Sequence, residues 1–289
     1  MNLNLENITF IIVSFKSEKV IYKCIDSLPI NSNKIIIENS NNLNLKKELE
    51  SKYDNIEVLL SKNLGMGTSN NIGIKKAKTQ FVHILNPDVK FKEDTFEKLQ
   101  VSCKKIKDFT ILSPIHSEIS FPNYKVYDKS INLYEDIINV DTIDGFSMLI
   151  NKEKFKDQNF FDENIFLYLE NDDLCFRVKK KNENMYIVKN SLIDHLGASS
   201  TETLMINDLE YLRNWHWMWS KFYFNKKHYG FFNAFLKIFT NIFSAKLKYF
   251  FYLMIFNEHK KKIYKMQLIN LIYIIGLGWL AMLITRQSF

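Results

Sequence analysis

The stretch FVHILNPDV, residues 81–89, joins a short apolar run to an abrupt polar end. Its first five residues are typical of a buried strand. Asn86, Pro87 and Asp88 follow directly, and all three residue types are also common in turns. Taken alone, the stretch favours a simple turn; the sharper hypothesis is that the strand delivers Asp88 to a functional site.

Three similar apolar runs precede this stretch, namely ITFIIVSF, KIIIE and IEVLL, and helical stretches separate them. Short apolar strands that alternate with helices predict an α/β fold with a parallel sheet covered on both faces. Ligands of such sheets bind at the carboxyl ends of the strands. The residues expected there are Ser14, Phe15, Glu38, Asn39, residues 63–67 and residues 86–88. This list is polar, and it contains neither a phosphate-binding lysine motif nor a complete G-x-G-x-x-G loop.

The pattern loosens after Asp88. It predicts a helix in EDTFEKLQVSCKKI, strands in FTILSP, TIDGFSMLI and MYIVK, and a polar loop over residues 115–141 that covers the site. Earlier in the chain, Thr68 or Ser69 is the expected N-cap of the helix in TSNNIGIKKAK.

An acidic cluster, Glu170-Asn171-Asp172-Asp173, lies just before another predicted helix. For either aspartate, capping of free helix N–H groups and a functional role are equally good explanations. Glu170 follows the apolar run IFLYL, so we expect it to project from a buried framework into a cleft. A carboxyl group there has a raised pKa and suits a general base. His195 is predicted in a loop after a strand, and its functional interpretation depends on Asp88 being a metal ligand.

The charge of the chain is concentrated at its end, where residues 211–289 carry twelve Lys and Arg against one acid. The run 231–256 predicts a helix with a broad apolar face and one narrow polar stripe, which suits a membrane interface better than nucleic acid. Residues 268–284 carry no charge but are short for a span, and they predict a re-entrant or interfacial segment. Three scattered cysteines and a start without a signal-peptide pattern predict a cytosolic origin.

The order of these segments resembles the family 2 glycosyltransferases, especially the bacterial rhamnosyltransferase-like branch. The resemblance extends from about residue 8 to residue 200, through IIVSFKSEKVIYKCIDSL, IIIENSNN, NLGMGTSNNIGI, LNPDV, DGFSMLINKEKF, FFDENIFLYLENDDLCFR and DHLGASS. It implies a GT-A-type fold with a nucleotide-sugar site at the carboxyl edge of the sheet. It also implies a divalent metal, Mg²⁺ or Mn²⁺.

Carried over residue by residue, the resemblance assigns donor contacts to Ser14, Phe15, Glu38, Asn63, Gly65, Asn71, Asn86 and Asp88. Glu38 stands where the family usually has an aspartate that grips the nucleoside. Asp88 and His195 are the implied metal ligands, and Glu170, Asp172 and Asp173 are the catalytic candidates. One departure matters, because the second position of the usual Glu-Asp pair is Asn171, and an amide is not a proton acceptor at neutral pH. Either Glu170 or Asp172 is then the base, with Glu170 favoured, or transfer activity is lost.

The sequence therefore predicts a catalytic domain at residues 1–205 and a C-terminal helical, membrane-associated region at 206–289. The expected activity is metal-dependent, inverting transfer of a sugar, rhamnose being the branch's commonest association, from a nucleotide-sugar donor. The expected acceptor is a lipid-linked saccharide of O-antigen or capsule assembly, at the cytoplasmic face of a bacterial inner membrane, with the enzyme peripheral or monotopic. The alternative is a non-catalytic sugar-nucleotide-binding or scaffold protein of the same fold.

Overall fold

The computed structural model describes residues 1–118, 120–196 and 206–276, and the side chains of all of these except 206–209 and 270–276. The chain divides into two compact units, Met1–Glu163 with Glu170–Ser200, and Asn164–Leu169 with Thr201–Phe289. The sequence predicts domains of 1–205 and 206–289. In the structure, the six residues 164–169 group with the C-terminal helices, and the predicted domain bounds stay a prediction.

The first unit contains a large sheet and its covering helices. Its strands are β1 (Ile8–Ser14), β2 (Asn33–Glu38), β3 (Ile56–Leu60), β4 (Phe81–Leu85), β5 (Val89–Phe91), β6 (Ile111–His116), β7 (Tyr124–Lys125), β8 (Ile137–Asn139), β9 (Thr142–Ile143), β10 (Ser147–Asn151) and β11 (Met185–His195). Its helices are α1 (Glu18–Asp26), α2 (Leu43–Lys52), α3 (Met66–Lys76), α4 (Thr95–Lys105) and α5 (Glu170–Lys180).

Within the described residues, the large sheet has the order β3-β2-β1-β4-β10-β6-β11-β5, and β8 pairs with β11. The first four strands of this order are mutually parallel, which confirms the parallel sheet predicted for this part of the chain. β10 runs antiparallel between β4 and β6, so its beginning lies at the edge where those two strands end. The same edge receives the end of β11, which is parallel to β6.

Alternation along the strands builds a core on each face of this sheet. Phe10 and Ile12 of β1 pack into one cluster, and Ile11 and Val13 of the same strand pack into the other. All four side chains are buried. The three cysteines are free and buried, as expected for small apolar core residues.

Several predicted boundaries were wrong. α3 begins at Met66 with Gly65 as its N-cap at φ +86°, while Ser69 is buried inside the helix and exchanges hydrogen bonds with Asn39. The predicted strand TIDGFSMLI is two strands, β9 and β10, separated by residues 144–146. The predicted loop 115–141 contains β7 and β8.

The described part of the second unit contains three helices, α6 (Ile206–Tyr229), α7 (Phe231–Met254) and α8 (Glu258–Gly276). A cluster of Trp215, Met218, Trp219, Phe222, Ala234 and Ile238 joins α6 to α7. The helix predicted over 231–256 is confirmed as α7. The part of the predicted interfacial segment beyond Gly276 lies outside the described residues, and among those that are described no helix is both long and apolar enough to span a bilayer.

Candidate active site

The carboxyl edge of the sheet brings Asp88 and His195 together. β5, which begins directly after Asp88, pairs antiparallel with β11, and His195 lies opposite Val89. The Asp88 Oδ1 and His195 Nε2 atoms are 3.3 Å apart, and the Asp88 side chain is only 5% exposed. The prediction of a loop position for His195 was wrong, because it is the last residue of an eleven-residue strand.

Two aromatic residues that the sequence analysis missed hold the imidazole of His195. The Phe146 ring stacks on it with centroids 4.1 Å apart, and the His116 ring lies edge-on at 6.3 Å. The backbone N–H of Asn86 donates to the carbonyl of Phe146 at 3.0 Å, which ties the end of β4 to the start of β10. His116 was missed because the predicted strand stopped at Pro114, two residues before the real end of β6.

The pair of Asp88 and His195 fits a divalent cation only in part. Among the described residues, no group of three or more His, Cys, Asp or Glu side chains is arranged to hold a metal. Mg²⁺ in phosphoryl-substrate sites is nevertheless commonly held by one or two protein ligands together with the substrate phosphates. The two side chains therefore fit a site that a diphosphate completes, and they do not form a cage by themselves.

Glu170 is the first residue of α5, and it is a carboxyl group in a poorly solvated position. Its Oε2 atom is inaccessible to solvent and has no hydrogen-bond partner among the described residues. Burial raises the pKa of Glu170 to about 7, and the charge of Asp172 adds to this increase. A carboxyl group with such a pKa is suited to accept a proton near neutral pH. The direction of this pKa shift is the one that the sequence predicts for Glu170.

The close approach of α3 to Glu170 contributes to the poorly solvated environment of this carboxyl group. A Cβ atom at Gly67 would lie 3.6 Å from the Cβ of Glu170 and 3.1 Å from the Cβ of Phe161. Any larger residue at position 67 would displace one of these neighbours. The glycine therefore allows the first turn of α3 to lie close to the first turn of α5.

A second acidic group, Asp144, was also missed by the sequence analysis. It lies in the short break between β9 and β10, beside Gly145, where a Cβ would be 3.3 Å from the Cβ of Asn171. Burial raises the pKa of Asp144, as does the charge of Asp172, whereas Lys125 and His195 lower it. Burial likewise raises the pKa of Asp172, opposed by Lys125. Asp144 therefore connects the acids of α5 electrostatically with the histidine at the end of β11.

The other two members of the acidic cluster have structural contacts. The Asn171 side-chain amide donates to the carbonyl of Ile143 at 3.0 Å, which ties α5 to β9. Asp173 is fully buried, and its Oδ2 accepts from the Arg177 Nε at 2.8 Å. Arg177 also donates to the carbonyls of Asn159 and Phe160. These contacts account for Asp173 as part of the framework of α5, and its catalytic role stays a prediction.

A second group of polar atoms lies at the ends of β1 and β2. Ser14 and Glu38 are opposite one another in the parallel register and are both fully buried. The Glu38 Oε1 accepts from the backbone N–H of Ser40 at 2.8 Å. The Ser14 Oγ and the Glu38 Oε2 have no hydrogen-bond partner among the described residues. Half-buried Phe15 follows directly, so an apolar surface borders these polar atoms.

The loop before α3 supplies the remaining predicted donor residues. The Asn63 Oδ1 accepts from the backbone N–H of Gly65 at 3.3 Å, and the positive φ of Gly65 turns the chain into the helix. Asn71 is buried, and its amide exchanges hydrogen bonds of 2.8 and 3.0 Å with the backbone of Phe161. Asn71 therefore positions the chain that leads toward α5, and its direct contact with a donor stays a prediction.

Comparisons with known proteins identify the class to which this fold and site belong. Residues 9–176 match the family described as glycosyl transferase family 2, and the chain belongs to that family. The match begins in β1 and ends in α5, so it covers the strand ends and acids described above. The predicted resemblance is confirmed.

Two characterised relatives are similar to this chain at low identity. The low-salt glycan biosynthesis hexosyltransferase Agl10 of Haloferax volcanii is 24% identical over 201 residues, which is 63% of this chain and 64% of that protein. The rhamnosyltransferase WbbL of Escherichia coli K12 is 27% identical over 211 residues, 62% of this chain and 79% of that protein. This chain thus spans less than two thirds of the length of the first of them.

Solved structures share the fold. GalNAc-T7, crystallised with UDP, GalNAc and Mn²⁺, superposes with a TM-score of 0.56 at 14% identity, over 84% of this chain and 58% of its own. Residues 1–349 of TarS from S. aureus, in complex with UDP-GlcNAc, superpose with a TM-score of 0.53 at 15% identity, over 84% and 76%. The mixed sheet with flanking helices therefore has the predicted GT-A-type fold.

Proposed function

We propose that this protein is an inverting glycosyltransferase that moves a sugar from a nucleotide-sugar donor to a hydroxyl group of a lipid-linked saccharide. The observation that carries the proposal is the environment of the Glu170 carboxyl group in the first turn of α5. Its Oε2 atom is buried and has no hydrogen-bond partner among the described residues. Family membership supplies the reaction class, and the rhamnosyltransferase and hexosyltransferase relatives favour a hexose or rhamnose.

The donor would bind across the carboxyl edge of the sheet. One carboxylate oxygen of buried Glu38 has no hydrogen-bond partner among the described residues, and the same is true of the Ser14 hydroxyl oxygen. These groups suit the N–H and O–H groups of a nucleoside, because a buried acceptor without a partner is costly until a ligand supplies a donor. Asp88 and His195 would hold a divalent cation, Mg²⁺ or Mn²⁺, together with the diphosphate. When bound, such a cation offsets the negative charge that develops on the departing diphosphate.

Transfer then needs one displacement. The Glu170 carboxylate takes the proton of the acceptor hydroxyl, and the hydroxyl oxygen forms a bond to the anomeric carbon. The bond between that carbon and the diphosphate oxygen breaks on the opposite side, and the nucleoside diphosphate leaves with the electron pair. One base on the acceptor side is sufficient for this inversion, whereas retention through a covalent intermediate would need a nucleophile close to the anomeric carbon.

The second candidate function is a non-catalytic sugar-nucleotide-binding protein, which Asn171 favours. Its amide occupies the position of the aspartate in the usual Glu-Asp pair and donates to the carbonyl of Ile143. In that case the donor would bind with a metal but would not be consumed. The proposed enzyme instead consumes the donor by transfer to an added acceptor or, when none is added, by slower transfer to water, and the rate depends on Glu170.

A panel of nucleotide sugars with Mn²⁺ or Mg²⁺ tests the proposal, with nucleoside diphosphate release as the readout. We expect one or a few donors to be turned over, and the Asp88→Asn and Glu170→Gln variants to be inactive. Asp157→Asn is a matched control, because Asp157 is an exposed acid whose contacts are Lys181 at 3.6 Å and the backbone N–H of Asn159 at 3.3 Å. Metal-dependent donor binding without turnover would support the second candidate, and full activity of both variants would refute the first.

We further propose that the protein is a peripheral or monotopic protein of the cytoplasmic face of the inner membrane and assists O-antigen or capsule assembly. One stripe of α7 supports this, because seven large apolar side chains recur at helical spacing and are each 49–72% exposed: Phe232, Leu236, Phe239, Phe243, Leu247, Phe250 and Met254. An exposed apolar stripe of this size marks an interaction surface. The excess of lysine in residues 211–289 complements anionic lipid headgroups.

Flotation with vesicles of neutral and anionic phospholipid tests the membrane proposal. Phe243→Glu should reduce flotation strongly, because it places a charge in the middle of the apolar stripe. Tyr134→Glu is the control, since Tyr134 is 95% exposed and belongs to the first unit. Full-length protein that stays unbound at low salt would refute the membrane proposal and leave the transfer reaction untouched.

A further inference from the structure

The short segment 164–169 has a different environment from the chain on either side of it. It belongs to the helical unit, whereas Glu163 before it and Glu170 after it belong to the first unit. Glu163 is fixed by the side chain of Asn71 at 3.1 Å and by Lys75 at 3.7 Å. The residue that follows the segment is the proposed base.

Side chains of α6 hold this segment. The Ser220 hydroxyl group donates to the carbonyl of Leu167 at 2.7 Å. The Phe166 ring stacks on His216 with centroids 4.4 Å apart, and the Tyr168 ring meets Trp217 edge-on at 5.6 Å. Ser220 is fully buried, so its hydrogen bond does not compete with water.

The two residues before Glu170 are in a costly backbone conformation. Tyr168 has φ +69° and Leu169 has φ +66°, and both are bulky non-glycine residues. Such residues rarely adopt the left-handed region, and they keep it only when surrounding contacts fix it. One hydrogen bond of the segment lies directly before this pair, because the Ser220 hydroxyl group donates to the carbonyl of Leu167.

We propose that Ser220 is a positioning residue for Glu170. Its hydrogen bond to Leu167 holds Tyr168 and Leu169 in the left-handed conformation, and this conformation sets the direction in which the chain enters α5. The side chains of α6 thereby act on the base through the chain that connects Leu169 to Glu170. This inference rests on the proposed role of Glu170 as the base.

The test compares Ser220→Ala with Ser220→Thr. We expect Ser220→Ala to lower kcat about tenfold, because a small displacement of a catalytic group has a large effect on rate. The KM for the donor should stay within about twofold, since the donor residues are not in this segment, and Ser220→Thr should restore kcat. Ser51→Ala is the control, because it removes a hydroxyl-to-carbonyl hydrogen bond of 3.0 Å elsewhere.

A second variant distinguishes positioning from general loss of structure. Glycine adopts positive φ without steric cost, so Leu169→Gly should restore part of the kcat that Ser220→Ala loses. A Glu170 that moves toward solvent should also titrate at lower pH, so the acidic limb of the pH–rate profile should shift downward. Asp172 is the titratable neighbour on the same helix, and the neighbour from α3 is Gly67, which has no charge.

Wild-type kcat and pH profile in a folded Ser220→Ala variant would overturn the inference. Equal losses in kcat, donor affinity and thermal stability, with no recovery by Leu169→Gly, would overturn it as well. If the wild-type protein transfers no sugar, the proposed function fails. In that case the pH dependence of thermal unfolding tests the positioning role of Ser220, because Ser220→Ala should lower the pH at which Glu170 titrates.

Discussion

The stability of the Glu170→Gln variant relative to wild type should increase as the pH rises. The pKa of Glu170 is raised from 4.5 to about 7 in the folded protein, so the fold favours the protonated form. Between these two values the unfolded chain has released the proton and the folded chain still holds it. The stability of the wild-type protein therefore falls as the pH rises from about 4.5 to about 7, and then levels off.

The size of the effect follows from the displacement of the pKa. One pKa unit corresponds to about 1.4 kcal/mol, so the displacement corresponds to about 3 kcal/mol at pH 8 as an order of magnitude. The glutamine side chain of the variant does not titrate, and any fixed cost of burying its amide is the same at every pH. In a domain of 150–250 residues 1 kcal/mol shifts Tm by about 2–4 °C, so the difference in Tm should grow by about 6–12 °C between pH 4.5 and pH 8.

Circular dichroism melts of both proteins at matched ionic strength measure this difference without any substrate. Asp157→Asn serves as the control, because its carboxyl group is exposed and its pKa is lowered by the backbone N–H of Asn159. A difference between wild type and Glu170→Gln that stays constant from pH 4.5 to pH 8 would refute the raised pKa. It would also remove the reason for choosing Glu170 over Asp172 as the base.

Four further substitutions test other parts of the site. Asp88→Asn and His195→Ala should each weaken Mn²⁺-dependent nucleotide binding about tenfold or more in calorimetry, while binding without metal changes little; equal loss with and without metal would contradict this assignment. Gly67→Ala places a methyl group 3.1 Å from a neighbouring phenylalanine Cβ, and it should cost about 1–3 kcal/mol of stability in melts, so an unchanged Tm would contradict the close approach. Arg177→Ala leaves the buried carboxylate of Asp173 without its guanidinium partner, and it should destabilise the protein by about 3–5 kcal/mol; a loss below about 1 kcal/mol would show that the pair is dispensable.

The part of the fold that the sequence predicts well is the part built from local patterns. Each of β1 to β4 is a short apolar run between helical stretches, and polar residues follow the strand ends. Glu38 and Asp88 were predicted at the sheet edge for this reason. Local patterns predict these strands and their parallel sheet, but not their order, because β1 pairs with β4, which is not its neighbour in sequence.

The rest of the site depends on contacts between residues that are distant in sequence. The insertion of β10 between β4 and β6 brings Phe146 to His195 and Asp144 near Asp172, and no periodicity signals this. The length of β11 was underestimated because polar residues follow the apolar run MYIVK. The association of 164–169 with α6 was missed because an apolar run does not specify its partner.

The central claim is that Glu170 accepts the proton of the acceptor during sugar transfer. The most direct measurement is the single-turnover rate of transfer by wild type and Glu170→Gln at saturating donor, together with the donor dissociation constant of each. We expect a rate at least about a hundredfold lower for the variant and a donor dissociation constant within about twofold of wild type. A variant that transfers the sugar at the wild-type rate would contradict the central claim.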